Sequence, residues 1–182
     1  MADNHTDKLN IILAECIDNQ PKAQKQLFDL LAPKMYSVCL RYAKNEDEAK
    51  DVLQESFIKV FKNLEKFEHK GSFEGWVKRI FINTSIEFYR KNQKQNIVDS
   101  IDDVAEIPID SHTISLLKTA DLMKLVNRLP NGYRTVFNLF AIEGYSHDEI
   151  SKLLNISENT SKSQLHKARI HLQEWVLKEN LK

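Results

Sequence analysis

The sequence predicts an all-α protein of two helical domains joined by a flexible acidic linker, and three observations lead to this fold class. Apolar residues recur with the three- and four-residue spacing of one helical face through most of the chain. No segment alternates apolar and polar residues for long enough to predict a β-sheet. Residues 97–113 lose the helical spacing, are acidic and contain Pro108, which is typical of a tether between separately folded parts.

Composition narrows the class of protein. Hydrophobic residues make up 42% of the 182 residues, enough for packed cores, and no apolar run approaches membrane-spanning length. The chain starts with a polar, acid-rich stretch that is unlike a secretory signal. We therefore expect a cytoplasmic protein without membrane insertion. Cys16 and Cys39 fall on apolar helical faces, where we expect buried thiols rather than a disulfide or a metal pair.

Charge is balanced overall but not locally. The chain has 26 basic and 26 acidic residues, which argues against a protein that coats nucleic acid unaided. Between residues 69 and 96, six lysines and arginines stand against two acids, whereas residues 97–121 contain six acids and one lysine. The first of these segments could face phosphate groups, and the second would repel them.

The first helices are set by two prolines. An N-terminal extension, residues 1–20, contains one apolar helical stripe, and Pro21 marks the start of the next helix. Pro33 is expected to kink or end that helix, so the apolar pattern over residues 35–42 predicts a third.

Two caps define the rest of the first domain, residues 21–95. Asn45 precedes an acidic first turn and caps the segment with the strongest helical periodicity. Residues 67–72 have lost the periodicity and contain a glycine, which predicts a loop, and Ser72 would cap the following helix. The predicted buried stripe of that helix is Phe73, Trp76, Val77, Ile80, Phe81, Thr84 and Phe88.

The second domain, residues 114–182, begins with an apolar helical pattern that Pro130 and Gly132 bring to an end. The next helix, from Tyr133 through Phe140, is closed by Gly144 in a left-handed conformation.

A helix-turn-helix follows. A short helix starts at a capping box, Ser146–Glu149, and ends at Asn155, whose side chain tolerates the left-handed backbone of a tight turn. Ile156 is then expected to plug the core, and Ser157 caps a long helix. The inward stripe of the long helix is Ser161, Leu165, Ala168 and Leu172.

The outer face of the long helix carries polar and cationic groups that can reach base edges and phosphates. Its residues are Asn159, Thr160, Lys162, Ser163, His166, Lys167 and Arg169. The alternative is the solvated face of an ordinary α-hairpin. We favour DNA binding because Glu158 is the only acid on this helix before Glu174.

Three stretches in this order closely resemble the bacterial RNA polymerase sigma factors of the extracytoplasmic-function (ECF) group. They are NEDEAKDVLQESFIKVFKNLEKF, GSFEGWVKRIFINTSIEFYRK and LPNGYRTVFNLFAIEGYSHDEISKLLNISENTSKSQLHKARIHL. The resemblance covers roughly residues 21–95 and 120–177. It implies a sigma region 2-like domain, a linker over residues 96–113, and a winged-helix-like helix-turn-helix domain of the sigma region 4 type.

The resemblance also implies a function and its residues. Such a factor binds core RNA polymerase and directs promoter-specific initiation, reading the −10 element with the first domain and the −35 element with the second. The residues implied for core polymerase binding are Asp51, Gln54 and Glu55. Those implied at the −10 element are Phe67, His69, Lys70, Arg79 and Asn83, and those at the −35 element are Lys162, Ser163, Gln164, His166 and Lys167.

Simpler interpretations exist for some of these residues. From spacing alone, the polar face at Asp51 would be an ordinary solvated helix face. Asn83 could satisfy a buried backbone group, and Trp76 suits a core better than a stacking platform.

Three residues of the helix-turn-helix depart from the family pattern. Asn159 stands where glycine is usual, and Ser161 where an aliphatic residue is usual, so we expect weaker local packing. Gln164 replaces a frequent arginine, which suggests a preference for adenine, the natural partner of an amide.

An enzyme is the first alternative class. The four glycines stand in separate places and form no phosphate-cradling loop, and no catalytic or metal motif is present. His147, Asp148 and Glu149 form one tempting cluster, but consecutive helical positions point three ways. We expect no enzymatic activity, no cofactor and no metal.

A stand-alone helix-turn-helix repressor or activator is the second alternative. It would need a dimer seam or a ligand pocket in the first domain. The balanced net charge favours a factor that binds DNA poorly until core polymerase is added. The expected partners are core RNA polymerase and promoter DNA, with an anti-sigma factor as a further candidate.

Overall fold

The computed structural model of the chain describes residues 3–95 and 119–180 and divides the chain into two compact units, Met1–Lys91 and Asn92–Lys182. All regular structure within the described ranges is helical, which confirms the all-α class. The predicted acidic linker, residues 96–113, lies outside the described residues, as do the first apolar positions predicted for the second domain.

Four α-helices and one short 3₁₀ helix make up the described part of the first unit, and the last four residues of the fourth α-helix lie past the unit's boundary at Lys91. The bounds of these helices are α1 Asp3–Ile17, α2 Pro21–Tyr42, α3 Glu46–Lys62, the 3₁₀ helix Leu64–Lys66, and α4 Phe73–Gln95. The helix starts follow the expected chemistry. Pro21 occupies the first turn of α2, where its missing N–H costs nothing, and the Asn45 side chain accepts a hydrogen bond of 2.8 Å from the Glu48 N–H.

The separate third helix predicted after Pro33 is wrong, because α2 continues through this residue to Tyr42. A proline inside a helix costs about 3 kcal/mol. On either side of it, however, α2 buries one continuous stripe, and fully burying each large apolar side chain contributes about 1.5–3 kcal/mol. The stripe includes Leu27, Leu31, Met35 and Val38. Tertiary burial therefore outweighs the local preference.

The buried face of α4 is wider than the predicted stripe. Phe73, Val77, Phe81 and Thr84 are buried as expected, whereas Trp76, Ile80 and Phe88 are only half-buried. Residues that the pattern missed are also buried, namely Ile82, Ser85, Ile86 and Tyr89. The ring of Phe81 meets that of Phe57 edge-on at 5.2 Å, so α4 lies in the core against α3.

Over residues 119–180, the second unit contains five helical segments. They are α5 Thr119–Arg128, α6 Asn131–Phe137, a π-helical turn Asn138–Ile142, α7 His147–Leu154, and α8 Glu158–Asn180. The single helix predicted from Tyr133 to Phe140 is corrected, since α6 gives way to the π-helical turn after Phe137. Gly144 has φ +79°, which confirms the predicted left-handed stop.

A buried arginine joins α5 to α6. The guanidinium of Arg134 donates to the carbonyl oxygen of Asn127 and to the side-chain oxygen of Asn131, both at 3.2 Å. These acceptors compensate the cost of burying the charge. The turn between α5 and α6 is thereby fixed.

Candidate nucleic-acid and polymerase interfaces

The start of α7 has the predicted capping box. Ser146 Oγ accepts from the Glu149 N–H at 3.2 Å, and the Ser146 N–H donates to Glu149 Oε2 at 2.8 Å. Two hydrogen bonds from Ser146 lower the pKa of the Glu149 carboxyl, and the bond from the Ser146 N–H has a larger effect than the bond from its hydroxyl. The first helix of the motif is therefore fixed locally, as its sequence indicates.

The turn between α7 and α8 also follows the prediction. Asn155 adopts φ 56° and ψ 50°, the left-handed conformation. Ile156 is half-buried rather than fully buried, and its N–H donates to the Ser151 carbonyl at 3.1 Å. Ser157 Oγ accepts from the Thr160 N–H at 2.9 Å, which caps α8. The three-residue turn thus has little freedom.

The inward stripe of α8 is as predicted. Ser161, Leu165, Ala168 and Leu172 are all buried, with at most 4% of their surface exposed. Ser161 is the polar member of this stripe. Its Oγ lies 2.9 Å from Nδ1 of His147, so the buried hydroxyl has a partner on the neighbouring helix.

The five residues implied at the −35 element all lie on α8, at different exposures. Lys162 and Ser163 are exposed, whereas Gln164, His166 and Lys167 are half-buried. Lys162 Nζ is 2.7 Å from Glu158 Oε1, one turn earlier. Within the described part of the chain, Gln164 Oε1 and His166 Nε2 have no hydrogen-bond partner.

The loop before α4 is organised by aromatic rings. The Phe67 ring lies 4.7 Å from His69, 5.2 Å from Phe73 and 5.6 Å from Trp76, measured between centroids. His69 has φ +56° and Gly71 has φ +91°, so the chain turns sharply there. We call Phe67, His69, Phe73 and Trp76 the aromatic cluster. The sequence predicted Phe73 and Trp76 only for the buried stripe of α4 and gave no sign of their contacts with Phe67.

The other residues implied at the −10 element, Lys70, Arg79 and Asn83, are exposed. Arg79 and Asn83 stand one turn apart on α4, and both face solvent. The alternative that Asn83 satisfies a buried backbone group is therefore not supported. Lys70 is exposed in the loop and pairs with Glu68 at 2.6 Å. The remaining ring, Trp76, is half-buried between Phe67 and Phe73, which agrees with its interpretation as packing.

The polar face of α3 is exposed as its spacing predicts. Asp51 and Gln54 are exposed and Glu55 is half-buried. One turn after Gln54, Ile58 exposes 40% of its surface. Sequence reasoning did not include Ile58 in either the core or the site. The position of Ile58 outside the apolar stripe of α3 is the sequence signal that could have predicted its exposure.

The three consecutive residues that first suggested a metal or catalytic site have separate structural partners. Asp148 pairs with Lys152 at 2.7 Å, while Glu149 closes the capping box and His147 bonds to Ser161. Across residues 3–95 and 119–180, no group of three or more histidine, cysteine or acidic side chains is placed to hold a metal ion. None of the described helices combines the length and apolarity needed to cross a membrane.

Family models match the chain in both units. The model for sigma-70 region 2 matches residues 27–95, and the model for sigma-70 region 4 matches residues 119–172. The ECF RNA polymerase sigma factor SigW of Bacillus subtilis is 30% identical over 161 residues, covering 81% of this chain and 86% of SigW.

Two further proteins are similar. The ECF sigma factor SigE of Mycolicibacterium smegmatis is 28% identical over 154 residues, covering 82% of this chain but only 60% of SigE. The sigma factor RpoE of Bartonella quintana, solved with the anti-sigma factor NepR, is 26% identical with a TM-score of 0.48, covering 85% of this chain and 96% of RpoE. The two family models and the relation to SigW show that this chain belongs to the ECF RNA polymerase sigma factors, the promoter-directing factors of transcription initiation.

Proposed function

We propose that this chain binds core RNA polymerase through α3, captures the −10 element as a single strand at the aromatic cluster and α4, and reads the −35 element with α8. One observation carries the proposal. The capped α7–turn–α8 unit buries one face of α8 and leaves lysine, hydroxyl and amide groups on the other, as a recognition helix requires. The division into two units lets different parts of the chain serve different promoter elements.

The −35 assignment follows from the chemistry along α8. Residues near the start of a recognition helix reach base edges in the major groove, and Lys162 and Ser163 are exposed there. If the Gln164 side chain rotates towards DNA, its unpartnered Oε1 would gain a hydrogen-bond donor. Its amide N–H₂ would at the same time be available to donate, and this combination suits adenine. Lys162 would exchange its pairing with Glu158 for a phosphate.

The −10 assignment depends on the aromatic cluster. Unpaired bases stack on aromatic side chains, and each such contact contributes about 1–3 kcal/mol. His69 is the exposed ring of the aromatic cluster and contacts the half-buried Phe67, while Arg79 and Asn83 would supply a phosphate contact and a group that can read a base edge. These groups suit a strand that has already been separated from its complement.

The polymerase assignment depends on the exposed face of α3. Asp51, Gln54 and Glu55 offer acceptors and an amide, and Ile58 adds an apolar contact on the same face. An apolar centre with a polar rim is typical of protein interfaces. We assign this face to core polymerase.

The expectations about catalysis, cellular location and an anti-sigma partner remain predictions. We assign the chain no catalytic step and place its action in the cytoplasm with the polymerase. An anti-sigma partner is a further prediction, which copurification from a native source would test. The stand-alone repressor is not favoured, because the chain belongs to the sigma factors.

Run-off transcription with purified core polymerase tests the proposal. Core alone, core with this chain, and core with the Asp51→Ala/Gln54→Ala variant are incubated with fragmented genomic DNA, and the transcripts are sequenced. We expect a restricted set of start sites that appears with the wild-type chain and disappears with the variant. A matched control, Asp18→Ala/Gln20→Ala, removes the same side-chain types at exposed positions and should retain the transcripts. No chain-dependent start site would contradict the proposal.

A further inference from the structure

A buried polar pair joins the two helices of the helix-turn-helix. His147 in the first turn of α7 and Ser161 on the inward stripe of α8 share a hydrogen bond of 2.9 Å between Nδ1 and Oγ. Ser161 has 0% of its surface exposed, so water cannot replace this partner. A buried hydroxyl left without a partner costs about 1–3 kcal/mol. The position of α8 is therefore tied to that of the His147 ring.

The imidazole is also held from a second direction. The ring of Phe140, in the π-helical turn, stacks on His147 with centroids 4.6 Å apart and planes at 23°. The guanidinium of Arg169, on α8, lies 5.8 Å from the centre of the same Phe140 ring. The imidazole is thus contacted by two segments outside its own helix, α8 and the π-helical turn.

The charges around the imidazole favour its neutral form. Burial and then Lys162 and Arg169, both on α8, lower the pKa of His147, while Glu158 of α8 opposes them. The charged neighbours in its own helix, Asp148 and Lys152, pair with each other at 2.7 Å. A neutral imidazole can share one proton with a hydroxyl at the observed distance.

We propose that His147 is a positioning residue for promoter recognition, acting through Ser161 to fix how the first turns of α8 face the DNA. Lys162 and Ser163 follow Ser161 directly in the sequence. Because all three residues belong to one continuous helix, a rotation of α8 about its axis turns Lys162 and Ser163 by the same angle as Ser161. This inference rests on the proposed role of α8 at the −35 element.

Variants of the pair test the inference in the full chain. His147→Phe keeps a flat ring over Phe140 but leaves the Ser161 hydroxyl without a partner, and His147→Phe/Ser161→Ala removes that hydroxyl. His147→Asn places a hydrogen-bonding atom where Nδ1 lies. The matched control is His171→Phe, another half-buried histidine that stacks on aromatic rings, 5.9 Å from Tyr133 and 5.6 Å from Trp175.

The first readout is the affinity of polymerase assembled with each variant for a promoter that the wild-type chain activates. We expect His147→Phe to bind about tenfold more weakly, because α8 would shift to relieve the unsatisfied Ser161 hydroxyl and DNA binding would have to restore its position against that cost. His147→Asn and the double variant should bind within about threefold of wild type, and the control should not differ from it. An affinity of His147→Phe equal to wild type, or no recovery in the double variant, overturns the inference.

The second readout needs neither polymerase nor DNA. Amide hydrogen exchange in the free full chain reports the opening of the first turns of α8. We expect faster exchange over residues 161–165 in His147→Phe and recovery in His147→Asn. Unchanged exchange overturns the inference, as does faster exchange with unchanged promoter affinity. If the wild-type chain directs core polymerase to no promoter, the proposed function is contradicted instead. The hydrogen-exchange result does not depend on that function, so the two failures can be told apart.

Discussion

The two candidate DNA sites differ in how the fold holds them. In the second unit, local hydrogen bonds hold the helix-turn-helix: the capping box at the start of α7, the Asn155 N–H to the Ser151 carbonyl, and the Ser157 cap at the start of α8. In the first unit, the loop before α4 is held by ring packing in the aromatic cluster, with positive φ at His69 and Gly71. A rigid helix suits a duplex whose groove has fixed geometry, whereas a loop lined by rings suits bases that must be unstacked.

The largest expected effect concerns the α3 face, which lies outside both DNA sites. Asp51→Ala/Gln54→Ala should abolish binding to core polymerase because it removes the acceptor and the amide from the middle of that face. Circular dichroism should show an intact fold, since both side chains are exposed. A pull-down with tagged core measures the loss. Unchanged capture of core would refute the assignment of this face, and the Asp18→Ala/Gln20→Ala control should bind normally.

The second prediction separates the two DNA sites. Arg79→Ala/Asn83→Ala should reduce promoter opening by polymerase at least about tenfold, because each group lost contributes on the order of 1 kcal/mol. The affinity of polymerase carrying this variant for an isolated duplex −35 element should not change. Permanganate reactivity of unpaired thymines measures opening. Equal losses in opening and in −35 affinity would show that the two sites do not act separately.

The third prediction concerns the charge on α8. Lys162→Ala should weaken promoter binding and reduce the salt slope by about one unit if the lysine contacts a phosphate. Glu158→Gln should strengthen binding by up to a few fold, because it releases Lys162 from its 2.7 Å ion pair. Lys178→Ala, near the other end of the helix, is the matched control. A constant salt slope would mean that Lys162 does not bind phosphate.

The fourth prediction uses the lowered pKa of His147. Burial and then Lys162 lower this pKa, so the folded protein binds the proton less tightly than the unfolded chain. This contribution to stability is complete above the ordinary histidine value of about 6.5 and is lost as the pH falls below it. His147→Asn should flatten the decrease in melting temperature between about pH 7 and pH 5. A decrease as steep as in His171→Phe would contradict this.

The smallest expected effect lies in the core of the first unit. Ser56 on α3 is fully buried, and within the described part of the chain its Oγ has no hydrogen-bond partner. Ser56→Ala should leave the free energy of unfolding unchanged or raise it by about 1 kcal/mol. Urea unfolding measures the difference. A loss of more than about 1 kcal/mol would reveal a partner for this hydroxyl.

The sequence correctly predicted the helix caps and the left-handed turn residue, because these features depend on residues that are close together in the chain. The caps at Asn45, Ser146 and Ser157 and the left-handed Asn155 each depend on atoms a few residues apart, and each was predicted correctly. The continuity of α2 through Pro33 was not, because it depends on burial against other helices.

The hydrogen bond between His147 and Ser161 is another feature that local sequence signals did not predict. A buried serine at position 161 suggested weaker packing, but His147, fourteen residues earlier in the chain, supplies a partner that periodicity cannot reveal. The π-helical turn that places Phe140 against His147 likewise has no signal in apolar spacing. Contacts between distant residues therefore decide the details of the candidate site.

One measurement tests most directly the claim that the two DNA sites act together only on the polymerase. A labelled duplex carrying a promoter that the factor activates is mixed with the chain alone, with core polymerase alone, and with both, at the same salt concentration, and the bound fraction is measured. We predict that only the mixture of core and chain binds the duplex tightly and exposes unpaired thymines near the −10 element. Tight binding by the chain alone, with no gain from core, would contradict the account and favour the stand-alone repressor.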